Sequence, residues 1–182
     1  MLLFYTMKRL LQKEIPPYKD IFSFANLFSA WREFQNGKRK KKDVAEFSEN
    51  LIHNLSLLES DLLSNNYSHG GYFHFKISDP KPRDIHKALV RDRIVHHAIY
   101  RALYPYFDNK FIYDSYSCRV NKGTHKAIYR FENFIRKASK NNAKTCWVLK
   151  CDIRKFFASI NHDILKKILA DYIPDKDILR FL

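Results

Sequence analysis

Leu149-Lys150-Cys151-Asp152-Ile153-Arg154-Lys155-Phe156-Phe157-Ala158-Ser159-Ile160-Asn161-His162-Asp163-Ile164-Leu165 is the stretch on which the reading of the fold turns. The run Thr145-Cys146-Trp147-Val148-Leu149-Lys150-Cys151 that enters it is short and strongly apolar, which predicts a buried strand. Asp152 then stands at the strand tip, an aromatic pair follows four and five residues later, and a helix is predicted from Asn161 to Tyr172. A lone core strand cannot satisfy its own backbone hydrogen bonds, so its partners are expected beyond Leu182 or in another chain.

Working outward, Asp20 to about Phe34 carries Ile21, Phe22, Phe24, Leu27, Phe28, Trp31 and Phe34 at helical spacing. Gly37 is a natural stop, followed by the basic run Lys38-Arg39-Lys40-Lys41-Lys42. A second helix is predicted from Asp43 as N-cap through Leu62. Tyr72 to Ile77 alternates as a strand, Asp79-Pro80-Lys81-Pro82-Arg83 reads as a turn, and Asp84 to Leu89 as the return strand of a ribbon. Helical spacing resumes from Arg91 to about Phe107. Asp114 to Gly123 lacks periodicity and reads as an irregular loop. Thr124 is a plausible N-cap for a helix to about Ala138, and Asp175 opens a last one. Helices, a ribbon, helices, one strand and a helix make an α+β chain with an incomplete sheet.

The bulk composition narrows the partner class. Hydrophobic residues make up 46% and aromatics 15%, enough for a packed core. Thirty-three Lys and Arg against 19 Asp and Glu give a net charge of +14. Such an excess attracts polyanions, nucleic acid above all, whose counterions are released when Lys and Arg replace them. No apolar stretch approaches the roughly 20 residues of a membrane span, so no membrane partner is expected. Met1-Leu2-Leu3-Phe4-Tyr5 is too short for a secretory h-region. Cys118, Cys146 and Cys151 are an odd number, and with no export signal the expected setting is a reducing cytoplasm without structural disulfides. Histidines 96, 97, 125 and 162 with Cys118 form no tight zinc-ligand pattern.

Asp152 carries the chemistry. Phosphoryl transfer to a primer end needs two metal ions roughly 4 Å apart on rigidly held carboxylates. A strand-end Asp suits this because the carbonyl of Ile153 offers a second oxygen ligand. Phe157 is placed to turn over a nucleotide sugar. On spacing alone the plainer reading is a capping Asp with two core phenylalanines, since Asp is a common cap.

What favours the chemical reading is a resemblance. Asp152-Ile153-Arg154-Lys155-Phe156-Phe157 with Ser159-Ile160-Asn161-His162 resembles the first palm motif of bacterial retroelement reverse transcriptases; the family often has Asp where Asn161 stands. Upstream, Phe75-Lys76-Ile77 through Asp79-Pro80-Lys81-Pro82-Arg83-Asp84-Ile85 resembles the fingers ribbon. Val90-Arg91-Asp92-Arg93-Ile94-Val95-His96-His97-Ala98 resembles the helix after it. Asp114-Ser115-Tyr116-Ser117-Cys118-Arg119 with Lys122-Gly123-Thr124-His125 resembles the next block. The wording is nearest to diversity-generating retroelement enzymes, then group II intron enzymes, and covers about residues 20 to 172.

The resemblance implies a right-hand polymerase, with a helical extension over 1–70, fingers over 71–144 and the start of the palm over 145–182. It implies Asp152 as catalytic metal ligand with Ile153, two Mg²⁺ ions in the complete enzyme, and Phe157 as the gate against a 2′-hydroxyl. Lys81 and Arg83 become the triphosphate clamp, a guanidinium fork being suited to that anion. Tyr116 and Arg119 fall near the template or nucleotide base. Arg91, Arg93, Lys122, Lys38, Arg39 and Lys40 become candidate nucleic-acid contacts. The implied partners are template RNA, a DNA or RNA primer, deoxynucleoside triphosphate and a small basic accessory protein. The family's second palm motif, with adjacent Asp residues, is absent from these 182 residues, so the expectation is a truncated front part, inactive alone. The alternatives are a non-catalytic RNA-binding remnant and an RNA-directed RNA polymerase, against which the bulk of Phe157 argues.

Overall fold

The computed structural model describes residues 14–182, so the reading of Met1 to Tyr5 lies outside the described residues. The single helix expected from Asp20 is two, α1 (Tyr18–Ile21) and α2 (Phe24–Phe34). Ser23 separates them with extended backbone, and its hydroxyl accepts from the Asn26 amide as the N-cap of α2. The Asn26 side chain in turn donates to the Ile21 carbonyl at 2.7 Å, serving one of the acceptors that the end of α1 strands.

The second expected helix is likewise divided, into α3 (Lys42–Glu49) and α4 (Leu51–Leu63). Asn50 leaves helical geometry at φ −121°, and Asn54 donates to the Phe47 carbonyl at 2.9 Å, an acceptor that the break leaves open. The expected cap at Asp43 is corrected: Lys41 holds the cap position, and Asp43 sits in the first turn, where Lys87 and Arg93 reach it. Competition between capping and ion pairing decides this, because one carboxylate cannot turn to both.

Strands β1 (Tyr72–Ser78) and β2 (Pro82–Ala88) form the antiparallel ribbon, with Phe75 opposite Ile85 and Ile77 opposite Arg83. Helix α5 (Val90–Phe107) follows, then the irregular stretch and α6 (Thr124–Ala138). The cap of α6 is Gly123 at φ 89°, not Thr124, since only glycine takes that backbone without strain. The chain closes with α7 (Phe156–Ser159), α8 (His162–Ala170) and α9 (Lys176–Phe181). Asn161 and Asp175 cap α8 and α9 through their side chains, as their residue types predict.

Two compact units result. One runs through Tyr106 and takes back Ile173–Leu182; the other is Phe107–Tyr172. In the first, Leu27, Trp31 and Phe34 of α2 pack with Val44, Leu55, Leu58, Leu62, Ile94, Val95 and Ala98 in a fully buried core. Each of the Val, Leu, Ile and Phe side chains among them contributes about 1.5–3 kcal/mol. Tyr18, Phe22 and Phe181 form an aromatic cluster, and Asp175 accepts the Tyr18 amide at 2.9 Å, tying the last helix to the first.

The second unit has almost no interior. Among its described residues Ser139 alone is buried. The buried strand expected over Thr145–Cys151 is corrected here: these residues carry no regular structure, with Trp147 91% and Leu149 88% exposed. The reason is hydrogen bonding. The one sheet among the described residues is β1 with β2, so the backbone of 145–151 has no strand to pair with.

Candidate functional site

Asp152 follows that exposed run directly. It is exposed, and its carboxylate has no hydrogen-bond or ion-pair partner among the described residues. It does not cap α7; Lys155, in left-handed geometry at φ 51°, occupies that position. Phe156 and Phe157 meet edge to face with centroids 5.2 Å apart, and Phe157 is 85% exposed. The plainer reading of a capping Asp with core phenylalanines therefore finds no contact to support it. Among the described residues no three His, Cys, Asp or Glu side chains gather as a metal site. Asp152 and the Ile153 carbonyl offer a divalent ion oxygen ligands of the right hardness, but too few to hold it firmly.

The loop before α6 is organised by Arg119. Its Nε donates to Asp108 Oδ1 at 2.7 Å, Nη1 to the Ile112 and Ser115 carbonyls, and Nη2 to the Asp108 carbonyl at 2.9 Å. The guanidinium is thus the hub of an otherwise irregular segment, and its side chain is largely buried. Tyr116 donates to Asp114 at 3.0 Å, and Arg130 pairs with the same carboxylate at 2.9 Å. That guanidinium holds the Asp114 carboxyl below the usual carboxylate range, and partial desolvation, joined by the bond to that carboxylate, pushes the Tyr116 phenol up. Lys122 donates to the Tyr113 carbonyl at 2.7 Å with its ammonium 3.8 Å from that ring. Tyr113, Tyr116, Lys122, Lys126, Tyr129 and Arg130 line an open cavity of about 480 Å³.

On the ribbon, Lys81 and Arg83 are exposed and carry no hydrogen-bond or ion-pair partner among the described residues. Arg83 shares its face with Phe73, Phe75, Ile77, Ile85 and Lys87, by the alternation of the register. Lys87 pins that face to α3 through Asp43 at 2.7 Å.

The other candidate cations are partly committed within the chain. Arg91 pairs with Asp61 at 2.9 Å and lies 5.1 Å from the Tyr67 ring centroid. Arg93 pairs with Asp43 and lies 4.9 Å from the Phe34 centroid. Lys38 donates to the Phe34 carbonyl and sits over the same ring at 4.8 Å. Burial pushes the Asp43 carboxyl up, but the bonds and charges of Lys87 and Arg93 outweigh it and hold the group low. Arg39 and Lys40 are exposed.

Sequence reasoning missed Asp92. It is fully buried and accepts from the Tyr67 hydroxyl at 2.8 Å and the Gly70 amide at 3.1 Å, with His69 Nδ1 3.9 Å away. Desolvation and this carboxylate raise the Tyr67 phenol well above its ordinary range. A signal was present: Asp92 lies three residues before Val95 and so on the apolar face of α5, where an unpaired charge is not tolerated.

No protein family profile matches the chain. Three curated proteins are similar to it. One is the COX1/OXI3 intron 1 protein of Saccharomyces cerevisiae, 30% identical over 117 residues, 60% of this chain and 13% of that protein. The intron 2 protein of the same organism is 26% identical over 155 residues, 80% of this chain and 17% of its own length. Protein YkfC of Escherichia coli is 26% identical over 130 residues, 70% of this chain and 34% of its own length. The chain thus spans about a third or less of these relatives, and it is distantly similar to intron proteins.

Proposed function

We propose that this chain is the front part of an RNA-directed DNA polymerase of the retroelement class, carrying one carboxylate of a two-metal centre. The observation that carries the proposal is Asp152: an exposed, uncommitted carboxylate placed just before the Phe156-Phe157 pair, in a segment that resembles a polymerase metal motif. Asp152 is tied into neither a cap nor an ion pair among the described residues, so its oxygens are open to a ligand. The similarity to intron proteins adds support from an independent side.

In this reading Asp152 and the Ile153 carbonyl hold a share of the metal. When bound, the divalent ions supply charge neutralisation at the transferring phosphoryl group. Phe157 presents a flat ring against the sugar and excludes a 2′-hydroxyl. Arg83 and Lys81, without ion-pair partners among the described residues, orient the triphosphate, where a guanidinium gives two parallel hydrogen bonds. In this reading Arg119, with donors on Asp108 and the loop carbonyls, holds the loop in shape, and Tyr116 and Tyr113 present rings near the template or nucleotide base.

One carboxylate does not hold two ions, so the 182-residue chain alone is expected to give no Mg²⁺-dependent primer extension. The reading itself is tested by titrating the labelled chain with Mn²⁺ and following its NMR spectrum. Paramagnetic broadening should centre on Asp152 and Ile153 and vanish in Asp152→Asn. Broadening spread evenly over the acidic residues, or unchanged in the variant, removes Asp152 from the centre and the polymerase reading with it.

A further inference from the structure

We propose that the helical unit carries a small-molecule site that takes a planar aromatic ring bearing one anionic group. The site is a cavity of about 480 Å³, inside the roughly 300–1,000 Å³ range of small-molecule pockets. Five rings line it: Tyr18 of α1, Tyr67 and His69 of the link between α4 and β1, His96 of α5 and Phe181 of α9. The Phe181 centroid lies 5.5 Å from that of Tyr67 and 6.1 Å from that of Tyr18. His69 stacks on His96 at 5.5 Å, with 23° between the rings. Val95 and Ile99 of α5 add aliphatic surface.

The lining selects the ligand in two ways. The first is the state of the rings. The Tyr18 hydroxyl donates to the Leu62 carbonyl at 3.0 Å and the Tyr67 hydroxyl to Asp92 at 2.8 Å, so both offer a ligand mainly ring surface. Desolvation holds His96 below the ordinary imidazole value, which keeps that ring uncharged at neutral pH. An aromatic ligand stacked offset or edge-on against such walls gains more than its buried area alone supplies. The second is charge. No acidic side chain lines the cavity, and its one cationic side chain outside the imidazoles is Arg180. Both partners of that guanidinium, Asn65 and Asp177, are served by Nη2, and among the described residues Nε and Nη1 make no hydrogen bond. The pair with Asp177 is 62% exposed on each side, so solvent screens it and little holds it. A carboxylate takes the two idle nitrogens as a fork, whereas a cation would meet Arg180 with nothing to offset it. His69 also stacks on Tyr72, the first residue of β1, at 4.9 Å, so an occupant of the cavity bears on the base of the ribbon.

The probe is 2-naphthoate, titrated into the whole chain by calorimetry with EDTA present, while NMR follows the ring protons of the eight histidines. Binding should saturate, shift the rings of His69 and His96, and leave the other histidines in place. Arg180→Gln should weaken it about tenfold, the loss of a charged hydrogen-bond donor. Arg180→Lys keeps the charge without the fork and should fall between. Uncharged 2-naphthamide should bind the parent and Arg180→Gln alike, which also shows that the variant keeps its cavity. Lys144→Gln removes the same charge from an exposed position elsewhere and should change naphthoate affinity less than about twofold. Adenosine monophosphate, whose anion stands a sugar away from its ring, should bind more weakly than naphthoate. Absence of saturable binding, or shifts centred on other histidines, overturns the inference. So does an unchanged affinity in Arg180→Gln, an equal loss in Lys144→Gln, or tighter binding of the nucleotide. The site uses neither a divalent ion nor Asp152, so its failure leaves the Asp152 reading standing, and failure of the Mn²⁺ titration leaves this site standing.

Discussion

Asp92 shows how one side chain settles a neighbourhood. Its two carboxylate oxygens, themselves buried, serve the Tyr67 hydroxyl and the Gly70 amide, two half-buried donors. Truncation to alanine strands both donors, each costing about 1–3 kcal/mol, so urea denaturation of Asp92→Ala should show a loss of about 3 kcal/mol. Asp92→Asn keeps one acceptor and should fall between. Equal stability of all three proteins would show that the network is not what holds Tyr67 and Gly70. Gly70 itself is required for space: a Cβ there would stand 2.9 Å from Asp92 Oδ2 and 2.5 Å from Leu89 Cδ1. The leucine can swing away, whereas the carboxylate is fixed from both sides.

The imidazoles of His96 and His97 are both held below their ordinary pKa, chiefly by desolvation, with His69 acting on the first and Lys38 on the second. Asp92 pulls His96 the other way and does not prevail. A histidine with a depressed folded pKa binds fewer protons than the unfolded chain does. Its contribution to stability is complete above the unfolded value of roughly 6.5 and is lost as pH falls through the folded value. The melting temperature should therefore drop between neutral pH and mildly acidic pH, and His96→Gln with His97→Gln should flatten that drop. A pH-independent melting temperature in the parent would refute the assignment.

At the scale of elements, what was legible in the sequence is what local chemistry decides. The ribbon, α5, the irregular loop and the caps at Asn161 and Asp175 all follow from alternation, period and cap preference. The Asn161 side chain accepts the Ile164 amide at 3.0 Å. Asn161→Ala should accordingly cost about 1 kcal/mol of helix stability, while Asn161→Asp costs little or nothing; helical ellipticity on mild heating separates the two. The breaks at Ser23 and Asn50 were not legible, because the apolar period runs across both. They are decided by distant partners: Glu59 on α4 accepts the Phe24 amide at 2.7 Å, and Asn54 takes the Phe47 carbonyl. The candidate site divides the same way. The uncommitted state of Asp152 and Arg83 agrees with residue type and position, whereas the capture of Arg119 by Asp108 depends on a loop whose course no periodicity announces.

For the molecule as a whole, the two tryptophans report on the difference between its units. Trp31 is 2% exposed, packed near Phe34 and Phe47 in the helical unit; Trp147, in the unpaired run before Asp152, is 91% exposed. An apolar run with unmatched backbone groups is held by little beyond its own covalent course, since burial supplies most of the free energy that opposes chain entropy. The helical unit has that burial, and Phe107–Tyr172 largely does not. Trp147→Phe should leave a blue-shifted emission, poorly quenched by acrylamide, that disappears in one cooperative urea transition. Trp31→Phe should leave a red-shifted emission, strongly quenched from the outset and with little change on unfolding. If Trp147 instead proves shielded in the isolated chain and melts together with Trp31, the segment bearing Asp152 has a packed environment. Asp152 would then be held by that packing and would not stand uncommitted.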